Sequence, residues 1–239
     1  MAKQTLLVSR CMLLILCGCL VTMANTAQGR PADLSHWGLW YNTAAGNEWT
    51  AALPIGNGRL GGMVFGNVVT DRIQLNEDTL WTGRPNDPSR TTAKNYLDQV
   101  RQEIFYGSRT TAQNIYNNNM MGTHHGQAYQ TVGNITLNFA GHSSFADYTR
   151  QLDLDTAVAR TRYTSGGVTY TREYFASPVD QLIVVRITAD QSGSISFTAA
   201  MNTPMSASVT ALAPNVLRMT GTNRSHEGVP AGMNYECRV

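Results

Sequence analysis

Paired acidic side chains are the residues of this sequence that could catalyse a hydrolysis. Cleavage of a glycosidic bond uses two carboxyl groups, held ~6.5–9.5 Å apart in inverting enzymes and ~5–5.5 Å apart in retaining ones. Glu77 and Asp78 are adjacent, so on a strand they would point to opposite faces. Asp153 and Asp155 could share a strand face with Cα atoms about 6.6 Å apart, but their alternation with leucines indicates a strand with one solvated face. Asp71 has no apparent partner. We therefore predict no catalytic residue in this chain.

Two adjacent histidines, His124 and His125, form the sequence's one histidine cluster. Zinc sites use spaced ligands together with further histidine, cysteine or carboxylate groups, and none follow here at such a spacing. We predict no metal and no cofactor, and place both histidines in a loop that contacts sugar or a neighbouring domain. Cys237 is the one cysteine outside the first 24 residues, and we expect it to be a small buried residue on a strand.

The first 24 residues have the features of an export signal. Lys3 and Arg10 provide the positive charge, and residues 11–21 form an apolar run that is shorter than the ~20 residues of a bilayer span. An alternative is a lipoprotein signal, because residues 16–19 resemble a lipobox that would leave Cys19 lipidated. We predict a signal peptide over residues 1–24, a linker over residues 25–36, and a secreted, periplasmic or cell-surface protein.

The charge balance excludes several classes of partner. Removal of the signal takes two of the 18 basic residues and none of the 16 acidic ones, so the remainder is formally neutral. Charged residues make up 14% of the chain, too few for a typical nucleic-acid-binding or disordered protein. We predict no nucleic-acid partner and no transmembrane segment.

Strand patterns dominate the chain after residue 128. Apolar and polar residues alternate over 130–139 and over 195–201, which is typical of half-buried strands. Gly166-Gly167 between two β-branched runs predicts a tight hairpin. The unbroken run over 182–187 predicts a central strand buried on both faces. Strand intervals of roughly 8–12 residues indicate a mainly β protein, a large antiparallel β-sandwich.

One helical island interrupts the strand pattern, predicted as an insertion around residues 92–121. Apolar residues from Ala93 to Phe105 fall at helical spacing, with Thr91 or Thr92 as the cap and Gly107 as the stop. A second short helix is predicted from Ser108 to about Met120, with Ala112 on its apolar face.

Several unusual motifs occur in order along the chain, over residues 39–41, 48–49, 52–61, 73–81, 129–134, 150–157 and 170–173. Together they resemble the motifs of glycoside hydrolase family 95, the α-L-fucosidase family. One segment departs from the family's usual Tyr-Gln-x-x-Gly-Asp, because Asn134 follows Gly133 here. The resemblance covers about residues 37–239.

The resemblance implies a sandwich of the supersandwich type placed before an (α/α)6 barrel that carries the catalytic groups. Family members release terminal α-L-fucose, and some release α-L-galactose, with inversion. No segment here corresponds to the barrel, so we expect residues 37–239 to be a non-catalytic domain truncated at its C-terminus and inactive alone. Its expected partners are the missing barrel and, through it, a fucosylated glycan. Two alternatives stay open, a stand-alone carbohydrate-binding sandwich and a surface lipoprotein.

Five residues are predicted to serve the contact with the barrel, or the rim of its active site. They are polar residues on a glycine-rich turn or beside a tryptophan, which suit neither a core nor a generic surface. An internal network within the sandwich is the alternative interpretation. The residues are Asn57, Arg59, Asn76, Glu77 and Trp81.

Overall fold

A computed structural model of the chain describes residues 30–122, 126–212 and 215–239. Leu34–Val239 form one compact unit, and Met1–Asp33 form a separate unit of which only the last four residues are described. The predicted signal peptide, Cys19, His124 and His125 lie outside the described residues. Within the described part, no helix is long and apolar enough to cross a membrane.

The described residues of the compact unit form three antiparallel sheets. The first has the strand order β1-β6-β7-β8-β9, the second β10-β5-β4-β3-β2, and the third β11-β12-β13. The strands are β1 Gly38–Tyr41, β2 Leu53–Gly56, β3 Leu60–Val64, β4 Thr70–Glu77, β5 Gly133–Asn138, β6 Ala146–Asp153, β7 Val158–Ser165, β8 Val168–Ser177, β9 Leu182–Ala189, β10 Thr198–Asn202, β11 Ser206–Leu212, β12 Val216–Thr222 and β13 Asn234–Arg238.

The first two sheets face each other across one apolar core, which confirms the predicted β-sandwich. Strands β2 and β3 pack against β7, β8 and β9 of the opposite sheet. Val64 and Ile73 from one sheet meet Leu152, Ala159 and Tyr174 from the other, and all five are buried. Full burial of a large apolar side chain such as valine, leucine or isoleucine stabilises a fold by ~1.5–3 kcal/mol relative to leaving it exposed. The alternating pattern of β4, β5 and β8 produces this face because strand side chains alternate in direction.

The predicted hairpin at Gly166-Gly167 is confirmed. Ser165 pairs with Val168, so the two glycines alone form the turn between β7 and β8. Their φ angles are +59° and +79°, the left-handed conformation at both central positions that a tight type I′ turn requires. The turn fixes the pairing register of β8 against β7.

Two strand predictions were wrong in part. The run over 182–187 is not central and doubly buried. It belongs to β9, which pairs only with β8 in the described residues and whose side chains are half-buried or exposed. β-Branched runs indicate apolar surroundings, and they do not distinguish a central strand from an edge that faces a cleft. The strand predicted over 195–201 begins only at Thr198, and Ile195 and Phe197 before it are exposed.

The helical insertion is confirmed. A 3-10 turn at Ala93–Tyr96 leads into α1, Leu97–Tyr106, and Gly107 follows as its C-cap. Helix α2, Arg109–Ile115, continues into a π-helical turn at Tyr116–Met120. The Ser108 hydroxyl accepts a hydrogen bond from the Thr111 N–H and caps α2. The predicted cap at Thr92 makes no side-chain capping bond.

A buried polar cluster, consisting of Asp71, His142, Tyr163, Arg172 and Tyr174, joins the two facing sheets. Arg172 on β8 donates to the Val68 carbonyl at 2.7 Å and to the Tyr163 hydroxyl at 2.6 Å, and its Nη1 lies 3.4 Å from Asp71 Oδ2 on β4. Tyr174 donates a short hydrogen bond to the same carboxylate. Burial raises the pKa of Asp71, and the positive charge of Arg172 opposes that rise.

His142 extends this buried polar cluster toward the loop after β5. Its Nδ1 lies 2.8 Å from the Tyr163 hydroxyl, which already accepts from Arg172 and so has its proton free to donate. Nδ1 is therefore the acceptor, as in a neutral imidazole. Burial first, and the nearby Arg172 charge second, lower the pKa of His142. The ring of Phe139 covers the guanidinium of Arg172, whose Cζ lies 3.7 Å from the ring centroid.

Candidate functional site

An exposed tryptophan lies against the outer face of β4. Ile73 and Leu75 point into the core, so Gln74 between them points outward. Trp49, in a 3-10 turn at Trp49–Ala51, donates its ring N–H to Gln74 Oε1 at 2.7 Å and stays 52% exposed. Asn76 shares the outward direction of Gln74 and pairs in register with Gly61, which has no side chain to cover it. The result is a fixed indole beside two amide side chains.

A pair of aromatic side chains lies beyond the end of β4. Trp81 and Tyr129 form an isolated antiparallel bridge, and their rings meet edge to face at 5.4 Å. Trp81 donates its ring N–H to the Asp78 carbonyl at 2.9 Å, and the Tyr129 hydroxyl donates to the Glu77 carbonyl at 3.0 Å. Both side chains nevertheless remain nearly half exposed. Their polar atoms are held while part of each ring is left to solvent. We call Trp49, Gln74, Asn76, Trp81 and Tyr129 the aromatic surface.

Arg59 and Glu77 form an ion pair beside this surface. Arg59 Nη1 lies 3.5 Å from Glu77 Oε1, and its Nε donates to Gln181 Oε1 at 2.8 Å in the turn before β9. Glu77 Oε2 accepts from the Thr79 hydroxyl at 2.7 Å and from the Thr79 N–H at 2.9 Å. Burial acts to raise the pKa of Glu77, but the hydrogen bonds from Thr79, together with Asp78 and the charge of Arg59, outweigh it, and the pKa lies below its ordinary value. The pair thus ties the end of β4 to the opposite sheet.

Asn57 shapes the turn between β2 and β3. Its side-chain oxygen accepts from the N–H groups of Arg59 and Leu60, and its Nδ2 donates to the Ser177 carbonyl at 2.8 Å. Gly58 in the same turn has a φ of +94°, which favours glycine. Asn57 is therefore engaged inside the sandwich.

The five predicted contact residues fall into two groups. Asn57, Arg59 and Glu77 make hydrogen bonds within the sandwich, whereas Trp81 and Asn76 belong to the aromatic surface. Three members of that surface, Trp49, Gln74 and Tyr129, were not predicted from the sequence. The alternation of β4 could have predicted that Gln74 points outward. The pairing of Trp81 with Tyr129 could not be predicted in this way, because the two residues are 48 positions apart and the helical insertion lies between them.

Three of the acidic side chains considered for catalysis, Asp71, Glu77 and Asp153, accept hydrogen bonds within the sandwich. Strand β6 ends at Asp153, so Asp155 lies in the following turn and the expected shared strand face does not exist. Asp153 accepts from the Ser35 hydroxyl at 2.8 Å and from the Asp155 N–H at 3.0 Å. The hydrogen bond from the Ser35 hydroxyl is the main cause of its lowered pKa. In the described residues, no group of three or more histidine, cysteine or acidic side chains could hold a metal ion.

Comparison with known proteins gives one family match. The family model described as glycosyl hydrolase family 65, N-terminal domain, matches residues 39–239. The matched range begins within β1 and includes β2 to β13, the helical insertion and every residue of the aromatic surface.

Three curated relatives are similar over part of their length. Alpha-L-fucosidase 2 of Arabidopsis thaliana is 40% identical over 153 residues, which are 63% of this chain and 18% of the relative. Probable alpha-fucosidase A of Aspergillus oryzae is 29% identical over 62% of this chain and 21% of the relative. The protein of the same name from Aspergillus niger is 30% identical over 60% of this chain and 18% of the relative. The match therefore spans about a fifth of each relative's length.

Proposed function

The chain belongs to the family of glycosyl hydrolase family 65 N-terminal domains, and from this membership we propose that it is the non-catalytic β-sandwich of an exported α-L-fucosidase of family 95. The three relatives, all named as fucosidases, support the activity class. The whole enzyme would release terminal α-L-fucose, or α-L-galactose, with inversion. Its catalytic groups would lie on an (α/α)6 barrel elsewhere in the polypeptide.

The state of the carboxyl groups carries the proposal that this chain is inactive alone. An inverting site needs a general acid with a raised pKa and a base ~6.5–9.5 Å away, both facing one open pocket. Glu77 and Asp153 have lowered pKa values and hydrogen-bond within turns. Asp71 has a raised pKa but is fully buried against Arg172. No carboxyl group in this set combines a raised pKa with access to a substrate.

The aromatic surface is proposed as the contact with the catalytic barrel or the rim of its active site. Trp81 and Asn76 would meet the barrel directly, because the ring of one and the amide of the other face outward. Arg59 and Glu77 would support them by fixing the end of β4, and Asn57 by fixing the turn between β2 and β3. Aromatic and arginine side chains are favoured anchors of such contacts.

A stand-alone carbohydrate-binding domain is a second candidate function. The observation that favours it is Trp49, whose ring N–H is bonded to Gln74 while half of its surface stays exposed. A fixed indole beside amide groups could stack on a sugar ring. Binding of fucosylated oligosaccharide to the isolated chain, lost in Trp49→Ala and retained in Trp37→Ala, would favour this function over the barrel contact.

Activity measurements test the main proposal. The purified chain is incubated with an aryl α-L-fucoside, and we expect no turnover above a protein-free control. Turnover that is lost in Glu77→Gln or Asp153→Asn would contradict the proposal. In the full-length enzyme, Trp81→Ala is expected to weaken domain docking or activity, whereas Trp37→Ala, an equally aromatic change outside the aromatic surface, serves as the matched control.

Export is tested separately. The basic residues and apolar run at the N-terminus support removal of residues 1–24 and a secreted, periplasmic or cell-surface location. Mass spectrometry of the product from an exporting host is expected to show a new N-terminus near residue 25. An intact Met1 would contradict export by this route, and a diacylated Cys19 would indicate the lipoprotein alternative.

A further inference from the structure

An apolar cleft of about 720 Å³ opens between the edge of the first sheet and the edge of the third. We call it the edge cleft. Its floor is the inner face of β4 and β5, and its two sides are β9 and β13. Most of its lining side chains are aliphatic or aromatic. The lining residues used below are Leu137, Val185 and Cys237.

The two sides of the edge cleft are unpaired strand edges. Strand β9 pairs only with β8, and β13 pairs only with β12, in the described residues. Every second residue of such an edge has its N–H and C=O directed away from the sheet, without ladder bonds. The cleft therefore combines apolar side chains with a row of free backbone donors and acceptors.

Strand β9 lacks the features that protect a natural sheet edge. Exposed edges usually carry charges, prolines or bulges that prevent pairing with another strand. Strand β9 has eight residues and one charge, Arg186, which is directed outward to Glu173. It has no proline and no register shift against β8. Such an edge is typical of a strand that another strand covers.

We propose that the edge cleft is a strand-addition site. It takes an extended polypeptide segment with apolar residues at alternate positions, which pairs with β9 and packs against Val185 and Leu137. A small apolar ligand would fill the volume but leave the backbone groups of β9 unpaired, and a helix, with its own backbone bonds satisfied, would leave them unpaired too. A strand would fill the apolar volume and also pair with the free backbone groups of β9, as in known strand-addition complexes.

The segment comes from the rest of the same polypeptide, and this step rests on the proposed function. About four fifths of each fucosidase relative lies outside the matched region. A segment of the same chain acts at high effective concentration, so it needs little affinity of its own. A second copy of this chain is the competing occupant, and the test below separates the two.

Cys237 provides a native reporter of occupancy. It lines the cleft, is half-buried, and burial raises the pKa of its thiol, so alkylation should be slow but measurable. The probes are synthetic peptides of about ten residues, long enough to span β9, that tile the Arabidopsis relative outside its matched region. Alkylation by N-ethylmaleimide is followed by mass spectrometry of the peptide that contains Cys237.

We expect a few peptides with alternating apolar residues to protect Cys237. At ten times the Kd the rate should fall about tenfold, because only ~10% of the cleft remains free. Amide hydrogen exchange should slow over Leu182–Ala189 in the same samples. Val185→Lys, which places a charge in the cleft, should abolish protection, and Trp37→Ala, a change outside both the cleft and the aromatic surface, should leave it unchanged. Circular dichroism and thermal melting establish that both variants fold.

The outcomes separate cleanly. If Val185→Lys does not fold, the unmutated chain alkylated beforehand at Cys237 replaces it and should not bind the peptides. Protection by no peptide, or protection that survives blockage of the cleft, would overturn the proposal. Protection that grows with the chain's own concentration would assign the cleft to a second copy and also overturn it. Because no fucoside is used, an active chain would end the proposed function without affecting this result.

Discussion

The buried polar cluster and the aromatic surface use the same residue types with opposite results. Both regions bring a carboxylate, an arginine and aromatic rings together, because the Arg59–Glu77 ion pair lies beside the aromatic surface. In the cluster, Asp71 accepts from Tyr174 and from two backbone N–H groups, and the rings cover the charges. At the aromatic surface, the polar atoms of Trp81 and Tyr129 are bonded but the rings remain open. Polar residues in this sandwich thus either join its sheets or hold side chains in place for something outside.

The largest expected effect comes from breaking the buried polar cluster. Arg172→Met removes the cation beside Asp71, which leaves the buried carboxylate without its counter-charge. It also leaves the carbonyls of Asn67 and Val68 without their donor. Loss of one member of a buried pair typically costs ~3–5 kcal/mol. We expect a loss of this size in the free energy of unfolding, measured by urea denaturation.

The control for Arg172→Met is Arg186→Met on the neighbouring strand. Arg186 is 67% exposed and pairs with Glu173 at 3.3 Å, so its removal should cost about 1 kcal/mol or less. Equal losses in the two variants would mean that burial of Arg172 adds nothing, and that the cluster is no different from a surface pair.

The next prediction compares one aromatic residue from each region. Phe139→Ala empties a fully buried site over Arg172 and should cost ~3–5 kcal/mol. Trp81→Ala removes a ring that is 44% exposed, so in the isolated chain we expect a clearly smaller loss. Urea denaturation measures both. A Trp81→Ala loss as large as that of Phe139→Ala would place Trp81 in the core and end its proposed role in contact with the barrel.

The sequence predicted the sandwich well because strand periodicity is local. Val168, Tyr170 and Tyr174 share one parity on β8, and all three are buried as alternation requires. Arg172 has the same parity, so its burial was readable in principle. Its partner was not, because Asp71 lies 101 residues away on another sheet. Pairing between sheets depends on topology, which periodicity does not specify.

The candidate site was predicted less completely than the fold. Arg59 and Glu77 were identified from a motif, yet their contact arises because β3 and β4 are neighbours in register. Gln181 accepts a hydrogen bond from Arg59 and lies in a turn of the opposite sheet with a φ of +56°. No pattern in the sequence predicted this contact. The edge position of β9 was also unreadable, since it depends on which strands lie beside it.

A smaller effect, dependent on pH, is expected from His142. Its folded-state pKa lies below the 6.5 of an unperturbed histidine, because burial and Arg172 disfavour the charged form. The unfolded state therefore binds the proton first as the pH falls. Stability should be complete above about pH 6.5 and decline below it, by at most ~1.4 kcal/mol per pH unit.

His142→Gln isolates the contribution of His142 to the pH dependence of stability, because glutamine keeps an acceptor for the Tyr163 hydroxyl but does not titrate. The aromatic rings around it are those of Phe139, Tyr163 and Tyr170, and Arg172 is the charge that acts on its pKa. The titration of Asp71 occurs in both proteins and cancels in the difference. Urea denaturation from pH 7.5 to 5 should show a difference between the proteins that shrinks with acidity. A constant difference would contradict a depressed pKa for His142.

The smallest expected effect concerns the Arg59–Glu77 pair beside the aromatic surface. The two side chains are 46% and 21% exposed, so water screens most of their attraction across 3.5 Å. Double-mutant cycles on such pairs typically give ~0.2–1 kcal/mol. We expect a coupling in this range from Arg59→Met, Glu77→Gln and the double variant in urea denaturation, well below the cost of Arg172→Met. High salt should weaken it further. A coupling of several kcal/mol would mean that Arg59 and Glu77 belong to the fold as firmly as the buried polar cluster does. The contrast between an internal cluster and an outward-facing surface would then have to be drawn at Trp81 and Asn76 alone.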